Sequence, residues 1–290
     1  MNRQQWMEKL RVPLLLAPAL LILFLLFGGG LAVGFAQSLG YFPILGMTEL
    51  TLSHYTTVLA DPNFLQSLWL TFRIAFWSTL IASVLAVAFA LILREAFRGS
   101  QAATFVYQIP LPIPHLVAAA GIVMLVTQSG LLARMGVALN LMEKPSQFPV
   151  LVFDRAGIAI IMTFVWKEVP FIGLVVLAIL KSVGPQFEEI AQTLGANRWQ
   201  RFWHILLPLI MPGILSTSII VFAFSFANYE IPLLLGVRFP TTLPVWAFRA
   251  YQDPDLAQRP QAMAASMILA VIAVVLLVAY RRLARYAINS

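Results

Sequence analysis

The sequence predicts an all-α, polytopic membrane protein with six transmembrane helices, and three observations carry that expectation. Hydrophobic residues make up 60% of the 290-residue chain and charged residues only 11%, with a mean hydropathy of +0.86. Soluble domains carry about 25% charged residues. Six runs are apolar enough and long enough to cross about 30 Å of hydrocarbon, which takes about 20 helical residues. All Asp, Glu, Lys and Arg residues except Arg73, Lys167, Glu168 and Glu230 lie outside those runs.

The first run, approximately 12–36, follows Arg3, Lys9 and Arg11. It is longer than the apolar core of a cleaved leader, about 7–15 residues, and is read as a retained helix. Within it Gly30 and Gly34, four apart, offer a close-packing surface, while the run Gly28 to Gly30 would also account for them as local flexibility. The second run covers about 68–93 and the third about 112–132. Pro110, Pro112 and Pro114 precede the third at spacing two and cannot occupy a helix interior, so the span is expected to start near Ile113 or Pro114 after extended chain. Both a kinked element near a pathway and plain helix initiation fit that pattern. His115 is a lone histidine with no second ligand in view, the situation of a packed side chain. The fourth run covers about 157–180, the fifth 208–235 and the sixth 261–280. A single transmembrane domain over 1–290 is expected.

Lys and Arg orient the chain. With both termini in the cytoplasm, the cytoplasmic segments hold Arg3, Lys9, Arg11, Arg94, Arg98, Lys181, Arg198, Arg201, Arg281, Arg282 and Arg285. The outer segments hold Arg134, Lys144, Arg155, Arg238, Arg249 and Arg259, and the loop 37–67 holds none. The excess on one side follows the positive-inside rule. The net charge of +7 is thereby explained by the bilayer and its anionic lipid, with no call for nucleic acid. No cysteine is present, which excludes disulfides and thiolate chemistry.

Between the fourth and fifth runs, loop 181–207 breaks the apolar pattern. Pro185 at a first helical position and Gly195 at a C′ position bracket a short helix with Phe187, Ile190, Ala191 and Leu194 on one stripe. Trp199, Phe202, Trp203 and Leu206 repeat the spacing in a second turn, with Arg198, Arg201 and His204 on other faces. Pro208 is expected to open the next membrane helix. An amphipathic helix-turn-helix of this kind needs a partner groove, or else simply lies on the membrane surface.

Glu189, Ala191, Gly195, Ile205, Leu207 and Pro208 stand at the spacing of the EAA loop, so the chain resembles the permease subunits of type I ABC importers. Ile190 departs from the pattern, standing where the family has its first alanine. The run from Thr51 to Leu93 and the segment Leu111 to Gly121 also look like this family, and the resemblance covers nearly the whole chain. It implies the type I ABC-importer permease fold, with the short helix as a coupling helix inserted into a cleft of the ATP-hydrolysing subunit. Carried over residue by residue, the coupling positions are Glu189, Ala191 and Gly195, flanked here by Phe187, Ile190, Leu194 and Arg198. The implied partners are two ABC ATPase subunits, a second permease subunit, the same or homologous, an external solute-binding protein and the lipid bilayer. ATP and Mg are expected on the ATPases, with no cofactor on this chain, in a bacterial cytoplasmic (inner) membrane. Phe224 to Gly236 and Pro240 to Asp255 look most like the polyamine-importing branch, with the iron(III), thiamine and sulfate branches close behind.

Ionisable groups inside spans cost about 2.5–3.5 kcal/mol each at the bilayer centre on insertion scales, so each needs a partner or a wet cavity. Arg73, near a span end, snorkels. Lys167 and Glu168 are adjacent and point about 100° apart on a helix, so they do not face each other. Glu230 belongs to Asn228-Tyr229-Glu230-Ile231-Pro232, where Pro232 is expected to break the helix and free backbone carbonyls. Lys167, Glu168, Asn228, Tyr229 and Glu230 are the candidate substrate pathway; a structural Lys167–Glu230 pair is the alternative. No G-x-x-x-x-G-K-[ST], H-E-x-x-H or G-x-S-x-G occurs, so energy for transport has to come from outside the chain. The rival class is an ion-coupled secondary transporter or channel, which the intramembrane Lys and Glu would also suit.

Overall fold

A computed structural model describes residues 13, 15–95 and 99–289, the last seven of them by backbone alone. Arg3, Lys9, Arg11 and Arg98, on which the charge count partly rests, lie outside the described residues, as does the side chain of Arg285. Twelve α-helical stretches follow in order among the described residues, with three short 3-10 turns between them, and no strand is present there. The first three are α1 (Leu15–Ser38), α2 (Ser53–Ala60) and α3 (Pro62–Leu93). Next come α4 (Ser100–Gln108), α5 (His115–Val126), α6 (Leu131–Ala138) and α7 (Ile158–Val183). The remainder are α8 (Gln186–Thr193), α9 (Arg198–Ala227), α10 (Glu230–Leu235), α11 (Leu243–Tyr251) and α12 (Arg259–Asn289). Six stretches are long and apolar enough to cross a membrane: α1, α3, α5 with α6, α7, α9 and Leu256–Arg282.

Two boundaries depart from the sequence reading. The third span is interrupted: Thr127 turns extended (ψ 160°), and α6 restarts after Gly130. A Cβ at Gly130 would lie 2.7 Å from the Leu125 carbonyl oxygen, so the chain folds back on itself at a point only glycine permits. The fifth span is one helix from Arg198 to Ala227, starting ten residues before Pro208 and ending well before 235. Helix passes through Pro208 because residues Phe202–Leu206 form a π turn, in which the Leu207 N–H bonds Phe202 O. The widened turn absorbs the ring that would clash with a regular one. The break expected at Pro232 falls earlier, at extended Asn228 (ψ 129°), and Pro232 sits inside the first turn of α10, where its missing N–H costs nothing.

The chain divides into two compact units, 1–61 with 247–268 and 62–246 with 269–290. In the first, Gly34 is the close-packing position: its Cβ site is 3.3 Å from Met267 Cε, whereas nothing lies within 4 Å of that of Gly30. Ser38 Oγ and Tyr55 Oη, 2.6 Å apart, tie α1 to α2.

The second unit holds the core. Ala82, Ala86 and Ala90 form a fully buried stripe at spacing four along α3, against Ile172 and Val176 of α7 and Ile210 and Ile214 of α9. Small residues at that spacing let helix backbones approach, which is how packing energy is gained where lipid competes for apolar surface. A second cluster joins Ile74 of α3, Ala119 of α5, Phe164 of α7 and Ile231 of α10. On α7, Tyr107 Oη of α4 donates to the Val169 carbonyl at 2.7 Å, beside the mid-helix Pro170. Gly173 makes this possible, because a Cβ there would collide with the Tyr107 hydroxyl.

Gly173→Ala is therefore expected to destabilise the protein by about 1–3 kcal/mol through overpacking. Thermal unfolding of the purified protein in detergent checks this; an unchanged midpoint would show that α4 is not held by that contact.

Candidate functional site

Two sets of residues singled out by sequence lie in the second unit. The first is the loop around α8. Its start is set by Pro185, whose carbonyl accepts the N–H groups of Glu188 and Glu189 at 3.0 Å each. Its end is a Schellman motif: Gly195 (φ 84°) donates to Gln192 O at 3.0 Å and Ala196 to Ala191 O at 2.9 Å. Nothing lies within 4 Å of where a Gly195 Cβ would stand, so the glycine is required by backbone conformation and not by crowding. Two residues on, Asn197 and Gln200 exchange side-chain bonds with each other's backbone N–H at 2.8 and 2.9 Å, a capping box that starts α9.

This geometry leaves the apolar stripe of α8 in the open. Phe187 is 55% exposed, Ile190 60% and Leu194 82%, with no residue of α8 buried. Ala191 is half-buried, and Glu189 and Arg198 are exposed. Two polar ties fix the helix. Arg201 Nη1 donates to Gln192 Oε1 at 3.3 Å, and the Arg94 guanidinium forks onto Glu188, Nη1 to Oε1 at 2.6 Å and Nη2 to Oε2 at 3.1 Å. Sequence reasoning missed the Arg94–Glu188 pair, because partners 94 residues apart leave no local signal.

The second set is the buried charge pair of α7. Lys167 is 7% exposed and Glu168 6%. The Lys167 ammonium donates to the carbonyls of Pro110, at 2.7 Å, Leu111, at 3.3 Å, and Ile113. These acceptors belong to the elbow between α4 and α5, where prolines prevent a helix from using its own carbonyls. An ammonium has three donors, and all three are spent here. The Lys167–Glu230 pair considered from sequence is not formed; the elbow carbonyls occupy the lysine instead. Glu168 Oε1 accepts from Ser225 Oγ of α9, while Oε2 is buried without a partner. Both residues line a cavity of about 240 Å³ together with Leu111, His115, Phe171 and Phe224. The His115 and Phe224 rings meet in its lining at a 38° tilt, with centroids 4.8 Å apart.

Asn228, Tyr229 and Glu230 do not line this cavity. Asn228 Oδ1 accepts the Ile231 N–H at 3.1 Å, which starts α10, and Glu230 is half-buried in the first turn of that helix. Arg73 Nη2 donates to the Arg155 carbonyl at 2.8 Å, a structural contact. No group of three or more His, Asp or Glu gathers among the described residues in a way that would hold a metal ion.

The sequence pattern of the family described as binding-protein-dependent transport system inner membrane component matches residues 78–288. The chain is 29% identical over 228 residues to the sulfate transport system permease protein CysW of Synechocystis, covering 77% of this chain and 78% of that protein. It is 31% identical over 216 residues to the inner membrane ABC transporter permease protein YcjO of Escherichia coli, covering 69% of each. Over 194 residues it is 28% identical to a putative ferric transport system permease protein, FbpB 1, of Haemophilus influenzae, covering 67% of this chain and 28% of that protein. Among solved structures, a chain of a bacterial ABC transporter involved in the import of alginate superposes with a TM-score of 0.79, over 98% of this chain and 99% of that one. At 22% identity that is a likeness of fold. The match from 78 to 288 takes in the loop around α8 and both members of the buried charge pair, and the chain belongs to the binding-protein-dependent transport system inner membrane family, as a permease subunit of an ABC importer.

Proposed function

We propose that α8 is the coupling helix through which ATP hydrolysis on partner subunits drives a solute across the membrane. The observation that carries this is the exposed stripe of Phe187, Ile190 and Leu194 on an eight-residue helix. A short helix with its apolar face uncovered fits a groove on another protein. In this reading Ala191 lets the helix approach its groove closely, Glu189 supplies a charge-assisted hydrogen bond and Arg198 flanks the contact. Two ABC ATPases grip two such loops, one on this chain and one on a second, identical or homologous permease. An external solute-binding protein delivers the solute, and the ATPases bind ATP and Mg. The chain acts as one transmembrane domain over 1–290 in a bacterial inner membrane, both termini cytoplasmic. Arg94, Lys181, Arg198 and Arg201, at the α8 end of their helices, support that orientation.

The pathway runs past the cavity at Glu168. With the Lys167 ammonium saturated by carbonyls, the group left to meet a solute is the Glu168 carboxyl, whose Oε2 lacks a donor. A solute bringing N–H groups or positive charge suits it, in keeping with the polyamine expectation and equally with iron(III). Asn228, Tyr229 and Glu230 then act along the same route at α10. A sulfate reading is favoured by a different observation, the sulfate permease among the relatives. Uptake of labelled putrescine, ferric iron and sulfate by the same vesicles, each with competition by the others, separates these readings.

Three outcomes are expected. Gly195→Ala forces a side chain into the left-handed region, at about 1–2 kcal/mol, and misdirects the chain after α8. Co-purification of the ATPase in detergent should fall while membrane insertion stays normal, and full co-purification would count against the docking role. Lys167→Met leaves the elbow carbonyls buried and unpaired, a loss on the order of 3 kcal/mol, and lowers the yield of folded protein. Glu168→Gln instead keeps the yield and lowers uptake; equal effects of the two on both readouts would show that the pair does not divide these roles. Lastly, Glu189→Ala and Ala191→Asp should abolish ATP-dependent uptake in vesicles holding the complete complex, with the spans still inserted. Flux indifferent to ATP in the unmodified complex, and following an ion gradient instead, would establish the carrier or channel class.

A further inference from the structure

We propose that Arg94 and Glu188 are positioning residues for energy coupling, their ion pair carrying a displacement of α8 into α3 and so into the transmembrane core. The proposal rests on the reading of α8 as the helix that docks the ATPase.

The covalent route from α8 back to α7 passes through a glycine joint. The chain reaches α7 through Gly184, at φ 69° and ψ 179°, a conformation that glycine adopts freely and residues with a Cβ avoid. Nothing lies within 4 Å of where its Cβ would stand, so glycine is called for there by the backbone conformation and not by crowding. A push on α8 bends the chain there before it moves α7.

The route through Arg94 is stiff. The two terminal guanidinium nitrogens each donate to one carboxylate oxygen, and the two side chains are only 24% and 14% exposed. A planar two-point contact resists rotation as well as separation, and partial burial shields it from water and salt. Arg94 stands one residue past α3 with its N–H still on the Ala90 carbonyl at 3.0 Å, so the fork is anchored in the last turn of that helix. Ala90 is the end of the buried alanine stripe by which α3 packs on α7 and α9. Glu188, in the first turn of α8, is beside the stripe that docks and not part of it, so it is placed to transmit the load. Lysine at 94 would keep the charge and lose the fork.

The test uses the complete reconstituted complex in vesicles and reads uptake per ATP hydrolysed. Arg94→Gln and Glu188→Gln are each expected to lower this ratio several-fold, with the complex recovered in normal yield. The double variant should be no worse than either single one, because both changes remove one interaction. Arg94→Lys, the mildest change and the one that keeps the fold safest, should fall in between. An unmodified ratio in Arg94→Lys and in both glutamine variants would overturn the proposal, and so would a double variant whose loss is the product of the two single losses. Uptake by the unmodified complex that ignores ATP would overturn the docking role of α8 instead, and the same vesicles report it.

Discussion

Backbone carbonyls inside a bilayer have to find donors, and the interaction of Lys167 with the elbow at 110–113 is where this chain meets that demand. Three prolines within five residues end α4 and delay α5, which leaves carbonyls that no helix uses. A single ammonium from the middle of α7 takes three of them. The cost of burying a lysine and the cost of leaving the carbonyls of an irregular turn unpaired offset each other here. Once the elbow is fixed to α7, the placement of His115 at the start of α5 follows, and with it the wall of the cavity beside Glu168.

The same helix carries the other consequences. Pro170, three residues beyond Lys167, and Gly173 open α7 enough for Tyr107 to reach the Val169 carbonyl, so α4 is held to α7 by its side chain while the elbow is held by its backbone. Alanines on α3 then bring a third helix close, and Ser225 of α9 occupies one oxygen of Glu168. Charge, small residues and prolines thus converge on α7, which has the largest buried share of the six spans, 61%. Adjacent residues divide the work there: Lys167 is consumed by the fold, and Glu168 retains an unpaired oxygen.

A transporter driven from outside its own chain needs a surface that is apolar yet accessible and firmly attached. The loop around α8 meets these conditions with local devices. The Schellman motif at Gly195 stops the helix after two turns, the Asn197–Gln200 box starts the next one, and the π turn at Phe202–Leu206 lets that next helix run through Pro208 into the membrane. Helix α8 is therefore joined to α9 by a defined turn, and to α3 by an arginine fork, while its own stripe remains uncovered.

Local chemistry was legible in the sequence alone. Apolar runs located six spans, because twenty-residue stretches without charge have few other fates. Gly195 and the stripe from Phe187 to Leu194 marked the short helix, because a left-handed cap and a 3.6-residue period are properties of neighbouring residues. Spacing from Glu189 to Pro208 was sufficient for the family. The sequence could not say where prolines would bend a helix: Pro208 is absorbed by a π turn and Pro232 falls in a first turn, outcomes set by where hydrogen bonds are rerouted. Nor could it pair Lys167, whose partners are backbone atoms some 55 residues away and not the glutamate that opposite charge suggested. Sequence by itself determined which segments are apolar enough to enter the membrane and which loop carries an amphipathic helix, since both depend on composition and short-range period. Only the tertiary structure decided which buried charge has its hydrogen bonds filled and which keeps an unpaired oxygen, because that depends on which unsatisfied groups distant segments bring within hydrogen-bonding distance of each other.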